Sequence, residues 1–209
     1  MDPNKKNDDY IYMKLFILFS ILLCIFMYLQ QYYSGHTRYT YNGQVFYIKN
    51  TYSEKTKKQI AEILHELKKR SNSLVQCVEK EKNYKNHYGC KRLIHEYKNT
   101  VLQEIEPTYY KKAIYAYNVN KGDEIHLCIK EPGGDYNTVN EMMFVLMHEM
   151  AHIMTKKYDH NEEFWENFRI LIKIATQNNL YINHNYGETP KKYCGNVLTH
   201  NPYYDRKNM

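Results

Sequence analysis

The chain has 209 residues, 43% of them hydrophobic, and its 29 Lys and Arg outweigh 23 Asp and Glu for a formal net charge of +6. That length suits one compact domain plus an appendage and argues against two full-sized domains. The lysines are scattered through KTKK, HELKKR, EKEKNYK and TKK, which reads as a solvated surface and argues against a dedicated nucleic-acid patch.

Residues 1–10 form a short polar tail. From Ile11 to Leu29 the run IYMKLFILFSILLCIFMYL is apolar or aromatic apart from Lys14 and Ser20, a length that suits one membrane span. We read 11–33 as a transmembrane anchor, with Lys14 snorkelling to the headgroups and Tyr10, Tyr12, Tyr28, Tyr32 and Tyr33 at the two interfaces. The flank QQYYSGHTR carries no small-x-small site, which favours an anchor over a cleaved signal. Lys5, Lys6 and Lys14 on one side against Arg38 and Lys49 on the other predict a cytosolic N-terminus and a lumenal or external remainder.

The segment 34–52 reads as a β-hairpin and linker, because Asn42-Gly43 separates two tyrosine-rich alternating runs. A domain over 53–209 follows. Ser53 is a plausible N-cap, and Ile60, Ile63, Leu64, Leu67, Leu74, Val75 and Val78 make one apolar stripe of a long packing helix. After the loop EKNYKNHYG, the residues Leu93, Ile94, Tyr97, Val101, Leu102 and Ile105 predict a second helix ending at Pro107. AIYAYNV and EIHLCIK flank Asn120-Lys121-Gly122-Asp123 as a second hairpin. Two further helices complete an α+β domain. Of the cysteines, Cys24 lies in the span. Among the other four no CxxC occurs, and an oxidising compartment would pair them. The preferred pairs are Cys77 with Cys90 and Cys128 with Cys194, with reduced buried thiols as the alternative.

Thr138 followed by Glu141 is a capping box, so a helix starts near Val139. It carries HEMAH, with His148 and His152 one turn apart on one face. Two imidazoles so spaced can grip one ion, and zinc accepts nitrogen at about 2.0 Å in a tetrahedral site. Glu149, beside the metal without ligating it, can take the proton of a water whose pKa the metal lowers to about 7. For the third ligand the positions three and six after His152 are Thr155 and Tyr158, which excludes the metzincin pattern. Glu162 and Glu163 read as first-turn residues answering a helix dipole. His160 is the better candidate, because Lys156-Lys157-Tyr158-Asp159 can turn the chain back before Asn161 caps the next helix. His126, His184 and His200 are reserve candidates. Phe164, Phe168, Leu171, Ile172 and Ala175 form the stripe of the last helix, with Trp165 offset from it. Tyr158 and Tyr186 are candidates to stabilise an oxyanion, neither with a spacing argument.

HEMAH, then His160 with Phe164-Trp165, then a helix and Lys192-Tyr193-Cys194-Gly195, resemble the WLM metallopeptidase domain, related to the SprT/Spartan-like proteases. In size and layout the chain is similar to the small WLM-like proteins of large DNA viruses. The resemblance runs from about Ile114 to Gly195. It implies a zincin-like α+β fold, one zinc held by His148, His152 and His160, and peptide-bond hydrolysis with Glu149 as general base. The expected partners are a protein or peptide substrate and a membrane, the latter through the N-terminal helix. Cellular relatives digest proteins crosslinked to DNA, but no DNA-binding appendage is seen here. The alternative is a membrane-tethered interaction protein with a structural or vestigial zinc site.

Overall fold

The computed structural model describes residues 3–33, 35–105 and 115–205. Helix α1 (Pro3–Tyr33) is long and apolar enough to cross a membrane: its window Tyr12–Leu29 has a mean hydropathy of 2.2 and none of it is buried. Tyr12 and Tyr28 are exposed near the two ends of that window. The side chains of Tyr10, Tyr32 and Tyr33 lie outside the described residues.

The expected hairpin at Asn42-Gly43 forms between β1 (His36–Tyr41) and β2 (Gln44–Lys49). Both turn residues take positive φ, the conformation that Asn-Gly supplies at least cost. Helix α2 (Glu54–Lys80) starts where Ser53 accepts from the Thr56 amide at 3.2 Å, and it buries Ile60, Leu64, Leu67, Leu74 and Val78. Helix α3 (Tyr88–Glu96) follows, N-capped by His87.

One predicted element changes type here. The second helix does not continue to Ile105: a 3-10 turn at Tyr97–Asn99 ends it, and Val101–Ile105 is a strand, β3. Leu93, Tyr97 and Val101 are four apart and mimic a helical stripe. Yet Leu102 and Glu104 are buried while Val101, Gln103 and Ile105 are partly exposed, the period of two that a sheet imposes. Pro107, Ala113 and Ile114 lie outside the described residues.

Strands β4 (Ala116–Val119) and β5 (Glu124–Cys128) form the second hairpin. What β3 does is join the hairpins: it lies parallel to β2 and to β5, giving one five-stranded sheet in the order β1-β2-β3-β5-β4. Phe46, Ile48, Leu102, Ile125 and Leu127 are buried from one face of it. Helix α4 (Val139–Met154) opens with the capping box of Thr138 and Glu141 and is buried nearly all round, so it runs through the core. Helix α5 (Glu162–Gln177) packs along it, capped by Asn161, which accepts from the Phe164 amide at 3.0 Å.

The chain closes with the hairpin β6 (Lys191–Tyr193) and β7 (Asn196–Leu198). Cys194 and Gly195 at its turn have positive φ, and the Glu131 carboxylate accepts from both of their amides, at 2.6 and 3.0 Å. Cys194 is disulfide-bonded to Cys128, as expected. The other expected pair does not form. Cys90 is buried in the core at the start of α3, and Cys77 is half-buried on α2, so both thiols stay free.

Candidate metal centre

The centre is built by α4 and the segment after it. Helical spacing places His148 and His152 with ring centroids 5.0 Å apart. The helix stops at Met154, and the loop 155–161 carries His160 back over them: its Nε2 lies 3.1 Å from Nε2 of His148 and 3.1 Å from Nε2 of His152. One imidazole nitrogen has a single in-plane proton or lone pair, so two such contacts cannot both be ordinary hydrogen bonds. These three side chains instead form a group that could hold a metal ion, with their ring nitrogens all within 4.8 Å of one another. Phe164 packs among them, with centroids 4.9, 4.5 and 4.5 Å from the rings of His148, His152 and His160. Trp165 stands 5.6 Å from His160.

Electrostatics keep the imidazoles neutral, the form that offers lone pairs. Burial drives His148 well below the ordinary histidine value, helped by its two neighbours. Burial, then His160 and Lys121, lower His152 to about 4. Burial lowers His160 too, against the pull of Asp159. Glu149 is 5% exposed, and burial pushes its carboxyl up to about 8.

Glu149 and the three histidines open on a cleft of about 640 Å³, which Tyr117, Asn118, Lys121, Tyr158 and Asn196 also line. Strand β4 ends the sheet and borders this cleft. Asn118 ties it to α4 by donating from Nδ2 to the Glu149 carbonyl at 3.0 Å. A smaller apolar pocket adjoins His148 and is lined by Phe144, Val145, Trp165, Phe168 and Leu198.

The candidate site residues all lie among the described residues. His148, Glu149, His152 and His160 come together. The reserve histidines do not join them: His126 bonds Glu124 and stacks on Tyr117, His184 bonds Thr189, and His200 bonds Thr199. Glu162 and Glu163 sit in the first turn of α5 as expected. Tyr158 reaches the cleft, whereas Tyr186 is fully buried against Phe144 with its hydroxyl facing Tyr181. It is therefore withdrawn as a candidate. Asn118, Lys121 and Asn196 were not singled out, since nothing in their local sequence sets them apart from turn and strand residues.

Fold and site together define an α+β protein in which two histidines of a buried helix and a third from the loop after it could hold a metal ion. The sequence pattern of the WLM domain matches residues 90–207, more than half of the chain, and the chain belongs to the WLM domain family. It is 38% identical over 84 residues to protein R325 of Acanthamoeba polyphaga mimivirus, covering 40% of this chain and 43% of that one. It is 35% identical over 69 residues to protein 136R of Invertebrate iridescent virus 6, covering 32% and 38%. Each match thus spans less than half of the relative. Among solved structures, a mutant Wss1 from S. pombe is 26% identical over 43% of this chain and 76% of that one, with a TM-score of 0.33. A mutant Wss1 from Saccharomyces cerevisiae is 21% identical over 64% and 92%, with a TM-score of 0.42.

Proposed function

We propose that the chain is a membrane-anchored, zinc-dependent metalloendopeptidase of zincin type, with 11–33 as anchor, 34–52 as linker and 53–209 as the peptidase domain. The observation that carries this reading is the convergence of three imidazole nitrogens beside a buried glutamate on an open cleft. The donor set fits zinc: ligands at about 2.0–2.1 Å in a tetrahedral site stand about 3.3 Å from one another, close to the 3.1 Å between His160 and its neighbours. Three protein ligands leave a position for water or substrate.

Zinc, when bound, supplies the Lewis acid that acidifies water and polarises the scissile carbonyl. His148, His152 and His160 would hold it. Burial alone favours the neutral Glu149 carboxyl, whereas a dication beside it would favour the carboxylate, which would receive a proton from water and return it to the leaving amine. Among the described residues strand β4 is the last of the sheet, and along its outer edge an extended peptide can add as another strand, while the apolar pocket beside His148 suits an aliphatic or aromatic side chain of that peptide. The Cys128–Cys194 disulfide suits a domain on the lumenal or external side.

The test is zinc content and cleavage of a quenched peptide library by the full-length protein in detergent micelles, beside Glu149→Gln. The parent should hold one zinc and cleave, and Glu149→Gln should keep zinc and lose cleavage. Equal cleavage by Glu149→Gln would sink the mechanism. A parent that holds zinc and cleaves nothing would favour a tethered interaction protein with a structural site.

A further inference from the structure

His160 is the ligand with no regular element under it, because it rides on the loop 155–161. Something must hold that loop if three nitrogens are to meet. We propose that Lys121, from the turn between β4 and β5, is a positioning residue that fixes the path of this loop and so delivers His160 to the metal. The inference rests on the reading of the three imidazoles as a zinc site.

The last carbonyls of a helix lack intrahelical partners and sit at the negative end of its dipole. At the end of α4 the carbonyl of the C-cap residue Thr155 and that of Lys156 just beyond it converge on one ammonium. Lys121 Nζ donates to the Thr155 carbonyl at 2.9 Å and to the Lys156 carbonyl, and it lies 4.3 Å from the centre of the Tyr158 ring. An ammonium has three donors; here two go to residues 155 and 156 while the charge faces the ring of residue 158, two positions before His160. Arg92 also reaches the Thr155 carbonyl, at 3.3 Å. Asn167 holds the Thr155 hydroxyl at 3.0 Å. Those two act at Thr155, whereas Lys121 reaches on to Lys156 and Tyr158, so it is the group that steers the loop.

The turn itself gives no reason for a lysine. Lys121 has φ 57, beside Asn120 at φ 48, a left-handed region that Gly and Asn occupy far more readily than a long side chain. Its side chain is folded inward, with the residue 9% exposed, at a cost in desolvation that solvent-facing turn lysines avoid. A loop held beforehand loses less freedom when the metal arrives.

The experiment measures zinc affinity of the full-length protein in detergent by competition with a chromophoric chelator. The proteins are the parent, Lys121→Met, Lys121→Arg, His160→Ala, and Lys121→Met combined with His160→Ala. Lys121→Met should weaken zinc roughly 10- to 100-fold, the range seen when groups that orient ligands are lost, and Lys121→Arg should recover most of it. With His160 already removed, Lys121→Met should change nothing further. Parent-like affinity in Lys121→Met would overturn the inference alone. So would an equal loss in both backgrounds, which would place the effect in the fold at large. A parent that takes up no zinc would overturn the metal reading and this inference with it.

Discussion

Replacing both Cys128 and Cys194 by Ser opens a loop that encloses all of α4 and α5, since the two cysteines are 66 residues apart. Closing a loop of that length in the unfolded chain corresponds to about 4 kcal/mol at 25 °C on the chain-entropy account. For a domain of this size that is a drop in Tm of roughly 10 °C. The folded state should survive the change, because Glu131 accepts from the Cys194 and Gly195 amides and the Tyr193 hydroxyl donates to the Cys128 carbonyl at 2.8 Å. Those contacts keep the last hairpin in place without the covalent link. The assay is thermal unfolding of parent and double-Ser protein in the same detergent, with and without reductant. The parent should fall toward the variant when reduced, and the variant should be indifferent. A reduced parent melting within a degree or two of the oxidised one would refute the reasoning.

Gly89 faces the end of α4: a Cβ there would lie 2.8 Å from Asn167 Oδ1 and 3.0 Å from the Met154 carbonyl and Cβ. Gly89→Ala should therefore cost about 1–3 kcal/mol, read as a lowered denaturation midpoint. Thr138→Ala removes the hydroxyl that accepts from the Glu141 amide at 3.2 Å, and should cost about 1 kcal/mol in the same assay while zinc content stays unchanged. Burial holds Lys68 at about 8 against an ordinary 10.5, so between those values the unfolded chain binds the extra proton and stability rises with pH. Melting from pH 7.5 to 10.5 should show the parent gaining on Lys68→Met, and parallel curves would contradict it.

Local chemistry was legible in the sequence wherever the determinant lay within a few residues. Asn42-Gly43 dictated a hairpin, Thr138 and Glu141 fixed the start of α4, and Asn161 capped α5. The four-residue step from His148 to His152 put two imidazoles on one face, because the helical period does so in any context. His160 was legible by elimination, since the residues between the two helices left it free to turn back.

What the tertiary structure decided was everything that depends on residues distant in the chain. Val101–Ile105 has a spacing that either a helix or a strand satisfies, and parallel neighbours on both sides, β2 and β5, resolve it in favour of the strand. Cys128 found Cys194 because the last hairpin lies against the end of β5, while Cys77 and Cys90, much closer in sequence, are held apart on separate helices. Asn118 reaches α4, and Lys121 the loop just after it, from the second hairpin across 31 and 34 residues of chain. No periodicity carries such pairings, because they are set by how the sheet and helices pack, and a short window of sequence contains only one of the partners.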